Sequence, residues 1–490
     1  MKINSLTLIN YRKFKHQSFV FNDHFTALIG DNATGKTQIL EAIVTLFSEY
    51  QFRMMRKNLS KAKEGDMEIH TEITVSDVHH EHHHFDSSEN KHSVRMEYIY
   101  PSILSATIND KEYVFCRRDN ASDEVNVRDS VLKRIAQDNL AEIQKQANIN
   151  LPVLAYYGTC RLWNKKNTLK KGIPSRTDGY RWSLDSFVDF EELKEWFKKQ
   201  ELIQLQKGTN GTVLEVMGEA LSKMIPGCKS VFYDLELEDL ALRFRDDMKL
   251  PFADSELMFN ELSDGYRMVL TMVFDIVKQM LLLNPHLEDR VLNETDGIIL
   301  IDELDLSLHP KWQRIVVNAL KQTFPKVQFI VTTHSPFIIQ SLVADEVIDL
   351  TECKGIIIKG HWERIKEDAG KISLPLIIKD GDLIDEQSLG VVWPQVRQSE
   401  QVGKSIEDIT EYVMDVNLPQ RSARLQKMYE VAKEYYAKLK ELNGASSQEL
   451  QRLDKELTEL IAPFSADVAY HAFLEMERLT AMQKREKTQQ

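Results

Sequence analysis

Residues 25–37 read FTALIGDNATGKT, and few stretches restrict a fold as tightly. The apolar run Phe25–Ile29 predicts a buried strand. It leads directly into Gly30-x-x-x-x-Gly35-Lys36-Thr37, and QILEAIVTLF follows with Ile39, Leu40, Ile43 and Leu46 at helical spacing. Strand, glycine loop and helix in that order is the context a phosphate-binding loop needs. The glycines let successive backbone N–H groups curl around an anion with no Cβ in the way. The helix that follows aims its positive end at the same place. Lys36 then reaches the β- and γ-phosphates, and the Thr37 hydroxyl ligates Mg²⁺. Against the bland reading of a chance turn, the sequence predicts a nucleotide site.

Length and composition narrow the class. The chain has 490 residues, enough for two to four domains, and 42% hydrophobic residues, the proportion of a globular protein. No apolar run approaches membrane-spanning length. The start, MKINSLTLINYRKF, alternates like a strand and has no signal-peptide centre. Cys116, Cys160, Cys228 and Cys353 are scattered, which argues against a zinc site or disulfide framework and suits a reducing cytoplasm. A net charge of −13 means that nucleic acid, if bound, must meet local basic patches.

Strands are expected over Ile3–Ile9 and Phe19–Phe21, then from Glu68 and Val94, with a hairpin turning on Asn109–Asp110. Together they suggest an antiparallel sheet beside the nucleotide core. Residues 53–63 carry five positive charges and read either as a solvated helix face or as a phosphate-contacting strip. The tract His79–His84 falls between two of the expected strands; neighbouring strand residues point to opposite faces, so the tract is poorly built to converge on one metal. A helix is expected over 123–147, a buried strand from Leu151, and charged helices over 184–225. Residues 161–176, basic and aromatic-tipped, form a candidate DNA or RNA contact loop.

Three further constellations complete the site. Gly297–Leu308 reads GIILIDELDLSL, an apolar strand ending in Asp302, which can hold the Mg²⁺ shell, and Glu303, which can align or deprotonate the attacking water. QFIVTTHSP is another buried strand, ending in His334. Leu262-Ser263-Asp264-Gly265 opens an apolar-periodic helix. Each is weak alone; the order phosphate loop, LSDG, IDE, His is specific.

That order, with LSDGYR, the run Glu303, Asp305, Leu308, His309, Pro310, the TTHSP segment and the opening NYRKFKHQSF, resembles the ABC-type ATPase heads, within the branch of SMC-like, RecF-like and OLD-family proteins. The resemblance spans roughly residues 1–350. It implies an α/β head with a mixed central sheet, a flanking antiparallel sheet and a helical lobe (an insert at about 180–250), in which ATP is sandwiched by a head-to-tail dimer. Carried over, Gly30, Asn32, Gly35, Lys36, Thr37 and Gln38 bind nucleotide, and Thr37 and Asp302 serve Mg²⁺. Glu303 is the catalytic carboxylate, His334 the γ-phosphate switch, and Asp305 part of the loop that communicates across the interface. Ser263 and Gly265 touch the γ-phosphate of ATP held by the other protomer. The position of the family's glutamine-bearing loop is not legible here: the strand over residues 151–157 lacks a glutamine.

The remaining chain separates subfamilies. After a connecting α/β segment at 351–400, residues 401–490 read as a helical docking domain: Pro419 opens one helix, Gly444 closes it, and Ser446 with Glu449 caps the next. Asp380, Asp382 and Asp385 read as a polar loop in preference to a nuclease metal site. A compact head with such a tail looks like the PtuA family, ATPases of Septu-type and retron-linked antiphage systems. The resemblance implies a partner, a PtuB-like HNH nuclease, docked on the C-terminal helices; self-packing of those helices is the plain alternative. Dimers or higher oligomers, no membrane contact and a cytoplasmic location complete the expectation. A RecF/SMC-like DNA-binding ATPase of repair or recombination is the competing function.

Overall fold

The computed structural model describes residues 1–59, 77–78, 80–86, 92–99, 102–117, 131–159, 161, 175–207, 212–225, 227–245 and 256–350. In chain order its strands and helices begin with β1 (Ile3–Tyr11), β2 (Phe14–Val20), β3 (Phe25–Ile29) and α1 (Lys36–Leu59). There follow β4 (His80–Asp86), β5 (His92–Tyr98), β6 (Ser102–Ile108), β7 (Lys111–Arg117), α2 (Val131–Gln144) and β8 (Val153–Tyr157). The middle of the chain holds α3 (Phe190–Lys207), α4 (Thr212–Met224), β9 (Cys228–Asp234), β10 (Asp239–Phe244), β11 (Glu256–Met258) and α5 (Asp264–Leu283). Last come α6 (Val291–Glu294), β12 (Gly297–Ile301), α7 (Pro310–Gln313), α8 (Val316–Thr323), β13 (Val327–Thr332), α9 (Pro336–Gln340) and β14 (Val347–Asp349).

Strands without a polar break sit where both sheet faces are covered. FTALI, VLAYY, GIILI and VQFIVT are buried at every residue, and they form β3, β8, β12 and β13 of a parallel sheet ordered β14-β3-β13-β12-β8. All four of its pairings are parallel. Antiparallel strands, expected to mix with this sheet, segregate among the described residues into sheets of their own. The order has a functional result. β13 lies between β3, which carries the glycine loop, and β12, which carries Asp302-Glu303, so residues at the end of β13 stand between the two motifs.

Beside this core lies the expected antiparallel sheet, ordered β2-β1-β6-β7. Its β6–β7 hairpin turns on Asn109 and Asp110 at φ 46° and 61°, the left-handed pair that a two-residue turn requires. Buried Gln328 on β13 stitches the sheets together: its Oε1 accepts from Ile3 N at 2.8 Å, and its Nε2 donates to the carbonyls of Ile3 and Asn22, both at 2.8 Å. Asn284, which caps the C-terminus of α5, plays the same part for β8 by accepting from Leu151 N (2.7 Å) and donating to Leu151 O (2.9 Å).

Three expectations change in detail. The histidine tract, placed between strands, lies from His80 onward within strand β4, paired antiparallel with β5. The helix expected from residue 123 is described over Val131–Gln144. The lobe around 180–250 carries the helices α3 and α4, but its second half is a three-stranded sheet, β11-β10-β9, that helical spacing did not foresee. The strand from Glu68, the loop residues 162–174, the segment with Asp380, Asp382 and Asp385, and the helical region 401–490 lie outside the described residues.

Candidate functional site

The glycine loop is shaped by three left-handed residues: Gly30 at φ 137°, Ala33 at 65° and Gly35 at 94°. At Gly35 the need for glycine is double, because a Cβ there would fall 2.6 Å from the Phe14 ring and 2.9 Å from Lys13 Cδ. The Lys36 ammonium folds back across the loop and donates to the carbonyls of Gly30 and Asp31, each at 2.8 Å. Burial pulls its pKa down, while Asp302, Asp31 and Glu303 pull it up. Asp31, Asn32 and Ala33 form the exposed rim.

Across the sheet, Thr37 Oγ1 meets the buried Asp302 carboxylate at 2.9 and 3.2 Å. Thr332, at the end of the intervening strand β13, donates from Oγ1 to Asp302 Oδ1 at 2.6 Å and accepts from Glu303 N at 2.7 Å. Glu303 itself takes φ 49°, a left-handed conformation costing an L-residue on the order of 1–2 kcal/mol. Such strain persists where the surroundings impose it. Asp305 accepts from Thr333 Oγ1 at 2.6 Å and from His334 N at 3.2 Å. Gln313 Nε2 donates to Leu308 O at 2.9 Å, and its Oε1 accepts from Ser335 Oγ at 2.7 Å. The motifs ending β12 and β13 are thereby one hydrogen-bonded unit.

The LSDG corner is placed differently. Ser263 is the N-cap residue of α5; it is exposed, and its hydroxyl makes no capping hydrogen bond. Gly265 backs onto the loop after β12, where a Cβ would fall 2.5 Å from Ser307 O. Neither residue hydrogen-bonds to the glycine loop of its own chain among the described residues. Lys36, Thr37, Asp302, Glu303, Asp305 and His334 come together; among the described residues Ser263 and Gly265 make no hydrogen bond to that group, and the Ser263 hydroxyl is free of a capping bond.

Sequence reasoning missed three contributors. Lys13, in the turn between β1 and β2, donates from Nζ to Ala33 O at 2.6 Å, and Phe14 packs on Gly35, so this turn walls the glycine loop. NYRKF marked the segment but not that role. Thr332 was legible only as part of TTHSP. Arg161, read as the first residue of a nucleic-acid loop, is instead 4% exposed and donates to the carbonyls of Gly158, Asp302 and Glu303. Burial lowers its pKa to about 10 although Asp302, Glu303 and Asp305 act to raise it, so it stays charged at neutral pH. At the loop's other end Arg176 is committed to the carbonyls of Leu283, Ala147 and Ile149. Both terminal arginines of the basic loop are structural. In the other basic strip, Arg53 pairs with Glu49 at 2.7 Å on α1, both side chains largely buried, and residues 60–63 lie outside the described residues.

The donor set suits a hard divalent cation: a hydroxyl and a carboxylate in contact, next to a helix N-terminus. The buried Oε1 of Gln38, one residue along, has no hydrogen-bond partner among the described residues. Thr37 and Asp302 would hold Mg²⁺, which would supply positive charge at the phosphates of a nucleotide in the glycine loop.

Fold and site are those of a P-loop ATPase. Residues 5–223 match a family model described as "AAA domain", and residues 260–340 match one described as "AAA domain, putative AbiEii toxin, Type IV TA system". The chain is similar to the "Retron Vc95 probable ATPase" of Vibrio cholerae serotype O1 biovar El Tor, at 24% identity over 404 residues, covering 72% of this chain and 74% of that protein. It is similar to the "Septu protein PtuA" of Bacillus thuringiensis, at 23% identity over 358 residues, covering 71% and 74%. Similarity to the "DNA replication and repair protein RecF" of Alkaliphilus oremlandii (strain OhILAs) is 32% identity over 83 residues, only 16% of this chain and 22% of that one. No helix among the described residues is long and apolar enough to cross a membrane.

Proposed function

We propose that this chain is the ATP-binding and ATP-hydrolysing regulatory subunit of a bacterial antiphage defence complex, and that its nucleotide state controls a partner HNH nuclease of the PtuB type. The carrying observation is the contact of Thr37 with Asp302 beside Glu303, the half of a hydrolytic site that one chain supplies. Similarity over more than two thirds of the chain to a retron ATPase and to a Septu PtuA supports the defence setting. The shorter RecF similarity and the two committed arginines of the basic loop weigh against a repair ATPase.

In this reading Lys36 exchanges its loop carbonyls for the β- and γ-phosphates. Mg²⁺, held by Thr37 and Asp302, would neutralise the charge that grows on the phosphate oxygens. Glu303 orients and deprotonates the attacking water, and His334 reads the γ-phosphate. Ser263 and the backbone at Gly265 gain an anion only when a second copy closes, which makes ATP the glue of a head-to-tail dimer. Asp305 then couples the two sites. A tenfold preference of ATP for the closed state shifts the balance by about 1.4 kcal/mol, so slow hydrolysis is compatible with switching. The nuclease docks on residues 401–490.

Co-expression with a PtuB-type HNH protein tests this reading. The expected result is a stable complex whose DNA cleavage changes with ATP and is locked in one state by Glu303→Gln. Robust Mg²⁺-dependent cleavage by the chain alone, or cleavage by the complex that ignores both ATP and Glu303→Gln, would refute it. The repair alternative instead expects duplex binding that weakens steeply with salt and vanishes when Lys165, Lys166, Lys170 and Lys171 are neutralised.

A further inference from the structure

Arg161 is a buried cation that, among the described residues, makes no hydrogen bond to a carboxylate. Its guanidinium donates from Nη1 to the carbonyls of Gly158 (3.0 Å) and Asp302 (2.8 Å), and from Nη2 to the carbonyl of Glu303 (3.0 Å). The last two carbonyls belong to the turn in which Glu303 holds φ 49°. On the other side of that turn the Glu303 amide donates to Thr332 Oγ1 at 2.7 Å. The backbone that carries the Glu303 carboxylate is therefore gripped from both sides, its carbonyls by Arg161 and its amide by Thr332. Adjacent carbonyls that converge on one planar fork suit a guanidinium and not a compact ammonium. β8 supports the same turn once more, since Tyr157 O accepts from Asp302 N at 2.8 Å.

We propose that Arg161 is a positioning residue for ATP hydrolysis: its fork on the carbonyls of Asp302 and Glu303 sets the direction of the Glu303 carboxylate, and it acts on the water-activating step without touching the nucleotide. The inference rests on Glu303 being the water-activating carboxylate. A fork that loosens leaves the phosphate loop, Thr37 and Asp302 in place, so nucleotide binding survives. What shifts is the carboxylate, and a misplacement of about 1 Å at a catalytic group costs on the order of 10²-fold in rate.

The test uses Arg161→Lys and Arg161→Gln in the full chain, with single-turnover hydrolysis expressed per bound ATP so that unfolded chains do not contribute. ATP·Mg²⁺ affinity is expected within about threefold of wild type and hydrolysis slower by about 10- to 100-fold. Either substitution added to Glu303→Gln is expected to slow it no further, because nothing then remains to be aimed. If binding and hydrolysis fall together in both variants, Arg161 is a folding residue and the proposal is overturned. If Glu303→Gln abolishes hydrolysis while Arg161→Lys stays within twofold of wild type, the positioning role fails and the reading of the site stands. If Glu303→Gln hydrolyses at the wild-type rate, both fall.

Discussion

Lys36 and Gly265 do different work at the two ends of the site, and their substitutions separate binding from assembly. Lys36→Ala removes the ammonium that bridges the loop carbonyls of Gly30 and Asp31. A charge-assisted hydrogen bond contributes roughly 1.5–3 kcal/mol, so ATP affinity should fall by about 10- to 150-fold, read by equilibrium binding. Wild-type affinity would refute the assignment of the loop. Gly265→Ala places a Cβ 2.5 Å from the Ser307 carbonyl, which as backbone cannot swing aside. Overpacking of this kind costs about 1–3 kcal/mol, and the displaced loop is the one that carries Asp305. Thermal unfolding should show the loss, ATP binding by the loop should persist, and hydrolysis should not; unchanged melting and hydrolysis together would contradict the packing. Residues such as Lys36, Thr37, Asp302 and Glu303 were legible in the sequence because their chemistry is written in contiguous backbone. Arg161 was not, because it acts on carbonyls 141 and 142 positions away.

Helix α5 joins the LSDG corner to the core through a buried polar pair. Asp275 Oδ2 accepts from Tyr157 OH at 2.9 Å and from Gln279 Nε2 at 2.7 Å, tying α5 to the end of β8. Burial raises the Asp275 pKa above its ordinary value, with Glu192 adding to the rise and Lys278 opposing it. A carboxyl whose folded pKa is raised binds its proton more tightly in the native state. Its stabilising contribution is full below the unfolded value, about 3.9, and is lost as pH rises through the folded value. Asp275→Asn keeps an acceptor for Tyr157 and has no proton to lose. Melting temperatures of the two proteins should therefore diverge in favour of Asp275→Asn as pH rises from about 4; parallel curves would contradict the shift. At this scale the parallel strands were legible as unbroken apolar runs. The β9–β10 hairpin was hidden because its turn, LELE, uses Glu238 at φ 52° where glycine or asparagine usually signals a turn. The histidine tract was read as a connector because its composition masks a strand that pairing with β5 imposes.

For the whole molecule the account requires that one chain's site be incomplete. Within a single chain the phosphate loop and the carboxylates are hydrogen-bonded together, while Ser263 stands exposed with a free hydroxyl at a helix start. Neither the identity of a docked partner nor the shared site is written in any one segment, which is why the sequence showed the parts and only resemblance suggested their assembly. The most direct test mixes two inactive chains, Lys36→Ala and Ser263→Arg. In a mixed pair the Ser263→Arg chain supplies an intact phosphate loop and the Lys36→Ala chain an intact LSDG corner, so one composite site is whole. With random pairing, ATP hydrolysis should return to roughly a quarter of the wild-type rate. A mixture no more active than its separate components would contradict the shared-ATP dimer.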